Sequence, residues 1–230
     1  MKSKPLDDSF IRNLSHDILN PLSSINGFLD LVLAPDNKDP LTLRQRRMLS
    51  SVNRACTHLL GTIRDLSDLS RLEEKLWTPV PIAVDLRAAA EGRMEEYRLL
   101  TDHRRVAMTV QSETAATTVS ADKAMIERFF DVLLRASESL TPEGGHIVLR
   151  LASLKGKVTG TLENDGEEKS PSSWNNAFKA KVFGPRPAEG YAAMGMALAQ
   201  RIALLHGGSL RVESSLGGGT AFHFVFPRDS

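Results

Sequence analysis

Two apolar stripes of helical period, joined by a turn and closed by a pair of prolines, constrain this chain more than any other feature. From Leu6, the residues Phe10, Leu14, Ile18, Leu22, Ile25, Leu29 and Val32 recur at three- and four-residue spacing, which draws one face along a long helix. Asp36, Asn37, Lys38, Asp39 and Pro40 then supply turn chemistry, with Asp39 as N-cap and Pro40 at the first position of a second helix. That helix carries Met48, Val52, Leu59, Ile63, Leu66 and Leu69 and stops beyond Trp77 and Thr78, where Pro79 and Pro81 end any helix. An antiparallel helical hairpin over 1–78 is the expectation. Narrow stripes on two helices bury too little alone, so a homodimer that forms a four-helix bundle is expected.

After the prolines, over 79–230, the texture changes to mixed elements. A helix is expected from Leu86 to Leu100, a strand from Val106 to Val110 and a helix from Lys123 to Glu138. Ile147–Leu151 and Val158–Leu162 alternate like paired strands, and Met194–Leu205 reads as an apolar helix. Ser209–Ser214 and Thr220–Phe226 flank Leu216, Gly217, Gly218 and Gly219, the pattern of a β-hairpin that closes a sheet. The fold class is α+β, a helical hairpin followed by an α/β sandwich.

Composition excludes several functions. A length of 230 residues suits two domains, and a formal net charge of +1 provides no field to gather nucleic acid or an anionic membrane. The arginine pairs Arg46–Arg47 and Arg104–Arg105 are too short for a basic tract. One cysteine, Cys56, cannot close an internal disulfide, and the six histidines are too scattered for a zinc site. With no signal core and no run of about 18 apolar residues, a cytoplasmic location without membrane contact is expected.

The chemistry concentrates at His16. It lies two residues from both Leu14 and Ile18, so at about 100° per residue it points away from the apolar stripe. Asn20 follows four residues later on the same face and Asp17 is adjacent, which gives an accessible imidazole an amide and a carboxylate as neighbours. A neutral imidazole is a competent nucleophile toward phosphorus; Asp17 can hold its tautomer or take its proton, and Asn20 can align a water. Pro21 removes a backbone donor and should bend the helix beside the site. On this triplet alone, a surface histidine on a kinked helix is the favoured reading.

The segment Leu14-Ser15-His16-Asp17-Ile18-Leu19-Asn20-Pro21-Leu22 resembles the phosphoacceptor box of bacterial sensor histidine kinases. The later run Leu205-His206-Gly207-Gly208, through Val212-Glu213-Ser214 to Pro227, resembles the end of their ATP-binding domain. The resemblance implies a phosphoacceptor hairpin with an ATPase-type sandwich behind it. It gives His16 the phosphoryl group, Asp17 a role in assisting transfer, and Asn20 a role in dephosphorylating a partner receiver domain.

The same resemblance implies a nucleotide pocket, and the sequence departs from it three times. Aligning Thr141-Pro142-Glu143-Gly144-Gly145 with the segment after the magnesium helix puts Ala136 where the family has a metal-binding asparagine. Asn164-Asp165-Gly166-Glu167-Glu168 stands where Asp-any-Gly-any-Gly belongs, so an amide replaces the adenine-reading carboxylate and Glu168 replaces a glycine. Tyr191-Ala192-Ala193-Met194-Gly195 keeps only the last glycine of the lid motif. Asp131 or Glu138 would have to reach the metal in compensation.

These departures lead to the expectation of a phosphorelay histidine phosphotransferase, a pseudokinase that passes phosphate through His16, with Asp17 and Asn20 assisting, to or from response-regulator receiver domains. Autokinase activity would be lost, with no ATP bound, no cofactor held and magnesium supplied only by the partner receiver. Receivers would dock around His16, Leu19 and Ser23. The alternatives are an active ATP-dependent sensor histidine kinase core, and a receiver phosphatase or pseudokinase scaffold. Trp77, Trp174, Met194, Met196 and the other histidines are expected to be structural.

Overall fold

A computed structural model of the chain describes residues 8–34, 37, 41–101, 105–166, 178, 192–215 and 218–228, with the side chains of 8–16, 54, 99–101, 192–193 and 215 outside that description. The chain divides into two compact units, Met1–Glu74 and Lys75–Ser230.

The first unit is a helical hairpin of α1 (Asp8–Leu33) and α2 (Leu43–Glu73). α1 continues through Pro21. The expected cap at Asp39 and Pro40 lies outside the described residues, and the N-cap of α2 is Thr42. Thr42 Oγ1 accepts from the Gln45 amide at 3.2 Å while Gln45 Oε1 accepts from the Thr42 amide at 2.9 Å. This reciprocal capping box satisfies two donors that Pro40 could not. Polar bonds tie the helices together: Asn53 donates to Asp30 at 3.0 Å and Thr57 to Asn26 at 3.0 Å. Leu29, Leu60, Ile63 and Leu69 are buried, whereas Ile25, Phe28, Leu31 and Val32 on α1 and Leu43, Met48, Val52 and Leu59 on α2 are exposed. One hairpin covers only part of its own stripe.

The second unit contains β1 (Ile82–Asp85), α3 (Leu86–Thr101), β2 (Ala107–Ser112), β3 (Thr118–Ala121), α4 (Lys123–Leu140), β4 (His146–Leu154), β5 (Lys157–Asn164), α5 (Ala192–Leu205), β6 (Ser209–Ser215) and β7 (Gly219–Pro227). The main sheet runs β2-β4-β5-β7-β6, with β2 parallel to β4 and the remaining pairs antiparallel. β1 and β3 form a separate antiparallel pair.

Alternation decides which face the sheet buries. Ile147, Leu149, Leu151, Val158, Leu162, Leu210, Phe222, Phe224 and Phe226 are buried, and α3, α4 and α5 cover them. Phe129 and Phe130 of α4 meet Phe224 and Phe226 edge to face, with centroids 5.3 to 5.7 Å apart. Fully burying each such ring stabilises the unit by about 1.5–3 kcal/mol.

α5 ends in a Schellman turn: the Gly208 amide donates to the Ala203 carbonyl, the Gly207 amide to Leu204, and Gly207 has φ +66°. His206, just before the turn, uses both ring nitrogens. Nδ1 lies 2.8 Å from the Ile202 carbonyl, and Nε2 accepts from the Asp122 amide at 3.0 Å. Asp122 in turn caps α4, accepting from Met125 at 3.0 Å, and also accepts from the Val80 amide at 2.9 Å.

Candidate functional site

The phosphoacceptor box falls on α1. The backbone of His16 is helical and its side chain lies outside the described residues. Asp17 and Asn20 are exposed and Leu19 is half-buried. The Asn20 carbonyl accepts from Ser24 Oγ at 3.1 Å, one turn on. Helical geometry therefore stacks positions 16 and 20 on one face.

In the second unit three elements converge on Asn164, at the end of β5. Its Oδ1 accepts from the Gly166 amide at 3.0 Å, which closes a tight turn and fixes which side of the amide is oxygen. Its Nδ2 has no hydrogen-bond partner among the described residues, although Asn164 is only 4% exposed. Thr220 is its register partner on β7, and Gly219, at φ +74°, passes so close that any side chain there would strike the Asn164 carbonyl. Gly166 approaches the Leu140 carbonyl at the end of α4 in the same way. Ser137, one turn earlier on α4, is fully buried, and its Oγ also lacks a partner among the described residues.

Asp165 points elsewhere. Its carboxylate accepts from the His146 amide at 2.9 Å and faces His146 Nδ1 at 3.1 Å. Burial pushes Asp165 up, but the bonds from His146 outweigh it and hold the carboxyl below its usual range.

Ala136 is buried and presents only a methyl group. Asp131 does not compensate for it, because its Oδ1 is bound to Arg93 Nε at 2.6 Å. Glu138 has an interaction partner of its own. Among the described residues no group of three or more His, Cys, Asp or Glu side chains could hold a metal ion. These residues do not fit a protein-held magnesium. Glu167, Glu168, Tyr191 and Trp174 lie outside the described residues, and Gly195 is buried in α5.

Residues 7–75 match the family described as the His Kinase A (phospho-acceptor) domain, and residues 121–230 match the histidine kinase-, DNA gyrase B-, and HSP90-like ATPase family. The chain carries a two-component histidine kinase core. This kinase core is 26% identical over 220 residues to histidine protein kinase DivJ of Caulobacter vibrioides, covering 95% of the chain and 37% of that protein. It is 27% identical over 222 residues to the alginate biosynthesis sensor protein KinB of Pseudomonas aeruginosa, covering 95% of the chain and 36% of that protein. The chain thus spans little more than a third of these relatives. Among solved structures, full-length ShkA in complex with AMPPNP superposes with a TM-score of 0.68 at 20% identity, covering 98% of this chain and 47% of that one. The Acinetobacter baumannii histidine kinase AdeS gives 0.58 at 15% identity, covering 94% and 98%. Both share the fold.

The kinase core corrects one expectation. A phosphotransferase working without ATP is overturned, because the ATPase match runs from 121 to 230 through all three altered motifs and kinases align along 95% of the chain. The physical reason is that Ala136, Asn164 and the missing lid glycines change individual side chains while leaving intact the scaffold of α4, β5 and β7. Ser137 and Thr220 were not singled out from the sequence; only their burial distinguishes them from ordinary hydroxyl residues. No helix among the described residues is long and apolar enough to cross a membrane.

Proposed function

We propose that this chain is the ATP-dependent autophosphorylating core of a sensor histidine kinase, acting in the cytoplasm as a homodimer. The co-occurrence of a phosphoacceptor match over 7–75 and an ATPase match over 121–230 in one chain carries the reading. Asn164 Nδ2, buried and without a partner among the described residues, supports a ligand at the end of β5, since buried polar groups are otherwise paired. The exposed apolar positions on α1 and α2 support a second hairpin packing against the first.

In this mechanism His16 attacks the γ-phosphorus of bound ATP through its ring-nitrogen lone pair. The N–P bond forms as the bond from phosphorus to the bridging oxygen breaks, ADP departs and Asp17 takes the imidazole proton. Positioning supplies most of the rate. His16 then passes the phosphoryl group to a receiver aspartate, and Asn20 aligns water for hydrolysis of the receiver's acyl phosphate. Because the residues around Ala136 do not fit a metal, any magnesium arrives with the triphosphate or with the receiver.

The test is incubation of the chain with magnesium and γ-labelled ATP. Acid-labile, base-stable label that disappears in His16→Ala and persists in Asn20→Ala is the expected result. Absence of label in the unaltered chain, with the protein folded, would sink the proposal.

A further inference from the structure

We infer that β6 carries a second homotypic contact, in which two copies of this chain pair their β6 strands edge to edge and antiparallel about a two-fold axis at Val212. The contact lies in the second unit, apart from the helical hairpin, and it does not depend on the chain binding ATP.

The two edges of the main sheet are finished differently. On β2, the Ala107 amide donates to the Gly145 carbonyl and the following Glu113 amide to the Leu151 carbonyl, both on the β4 side, so strand alternation turns the Met108 carbonyl to the open side. Arg98 of α3 covers it there, donating through Nη2 at 3.2 Å. β6 forms the other edge. Among the described residues no strand pairs with its far side, and no side chain bonds to the backbone of Arg211, Val212 or Glu213. An open edge is a template for another strand.

The side chains select which strand. Arg211 and Glu213 are exposed on the uncovered face of the sheet, with half-buried Val212 between them on the other face. Arg211 has no ion-pair partner among the described residues. His223 of β7 lies 3.6 Å from one oxygen of Glu213, whose side chain stays largely exposed. A two-fold axis at Val212 sets Arg211 of each copy directly opposite Glu213 of the other, which makes two equivalent ion pairs. Parallel pairing in the same register would set arginine beside arginine and glutamate beside glutamate. The charge order thus favours a second copy in the antiparallel sense. On the helix-covered face, Val212 meets its own copy and gains the cover it lacks.

β6 has seven residues, far fewer than the roughly 20–30 on each side of a standard interface, so the contact forms and breaks with concentration. With hairpins pairing through the first unit and β6 strands through the second, one chain carries two isologous interfaces. Together they join dimers into larger assemblies.

The experiment is sedimentation velocity of the full chain from about 10 μM to about 500 μM. The expected result is an association step beyond the species present when dilute. Arg211→Glu and Glu213→Arg each place like charges across the axis, and each should weaken that step about tenfold or more. An equimolar mixture of the two variants should regain it, because the reversed charge of each then faces the opposite charge of the other. So should the double variant that carries both changes. A single size throughout the range for the unaltered chain overturns the inference. So does a step that neither reversal weakens, or one that variants with unaltered circular dichroism lose and the mixture does not regain. Hairpin pairing is read separately, as the dilute species that the charge changes leave in place. Its absence would remove the homodimer of the kinase reading without touching the β6 contact.

Discussion

Gly160 on β5 stands directly opposite Phe224 on β7, and a methyl group on Gly160 would overlap the phenyl ring. The ring occupies the space that a side chain at 160 would need, and it is held there by Phe129 and Phe130. Gly160→Ala should lower the unfolding free energy by about 1–3 kcal/mol through overpacking. A urea titration should show an earlier midpoint with an unchanged slope; an unmoved midpoint would mean that the ring has another place to go.

Arg93 and Asp131 form a half-buried pair between α3 and α4. Burial pushes the Asp131 carboxyl up, and the pull of Arg93 only partly offsets it. A raised carboxyl favours the fold at low pH, and that contribution is lost as pH rises through its folded value. Arg93→Met removes the main counter-charge, so it should cost about 1–3 kcal/mol near pH 7, with the deficit shrinking toward pH 5. Thermal midpoints of both chains across that range would show it; a deficit independent of pH would place its origin in packing.

Asp165 has the opposite sign. Its carboxyl lies below the usual range, so its bonds to His146 stabilise the fold above the ordinary carboxylate value and lose that effect as pH falls through the lower folded value. Asp165→Asn should melt earlier than the unaltered chain near neutrality, and the gap should close as pH falls through the lowered folded value. A gap that persists in acid would show that the charge contributes nothing.

Asp122→Ala should be among the more damaging changes at a polar residue in the second unit. It removes the cap of α4 and leaves the Val80 amide without its acceptor. Losing a cap and orphaning a second donor costs about 2–3 kcal/mol together. Asp122→Asn keeps only one of the two acceptors and sets its NH2 group against the other amide, so it should recover only part of the loss in the same denaturation experiment.

How much of this was legible in the sequence depends on element length and on surroundings. α4 and the β6–β7 hairpin follow from periodicity, since each has one buried face and enough residues to show it. β1 and β3 do not, because four residues are too few to show a period, and β1 buries only one of them. The start of α2 was misplaced because Pro40 and Asp39 look like a cap, whereas the Thr42–Gln45 box supplies reciprocal bonds. At the site, the spacing of His16 and Asn20 is visible in one dimension. The orphaned donor of Asn164 is not, because it exists only once Gly166 has taken the other side of the amide.

The strand order has a consequence for synthesis. β7, which leaves the ribosome after every other described strand of this sheet, is not an edge but lies between β5 and β6. Until Pro227 emerges, β5 shows solvent an open row of amides and carbonyls, and the phenylalanines of α4 lack the partners that cover them. At about 5–20 residues per second that interval lasts only seconds, yet it is the interval in which two nascent chains could pair wrongly. A stop codon placed between Ser215 and Thr220 would therefore not trim this unit. It would leave it without its middle.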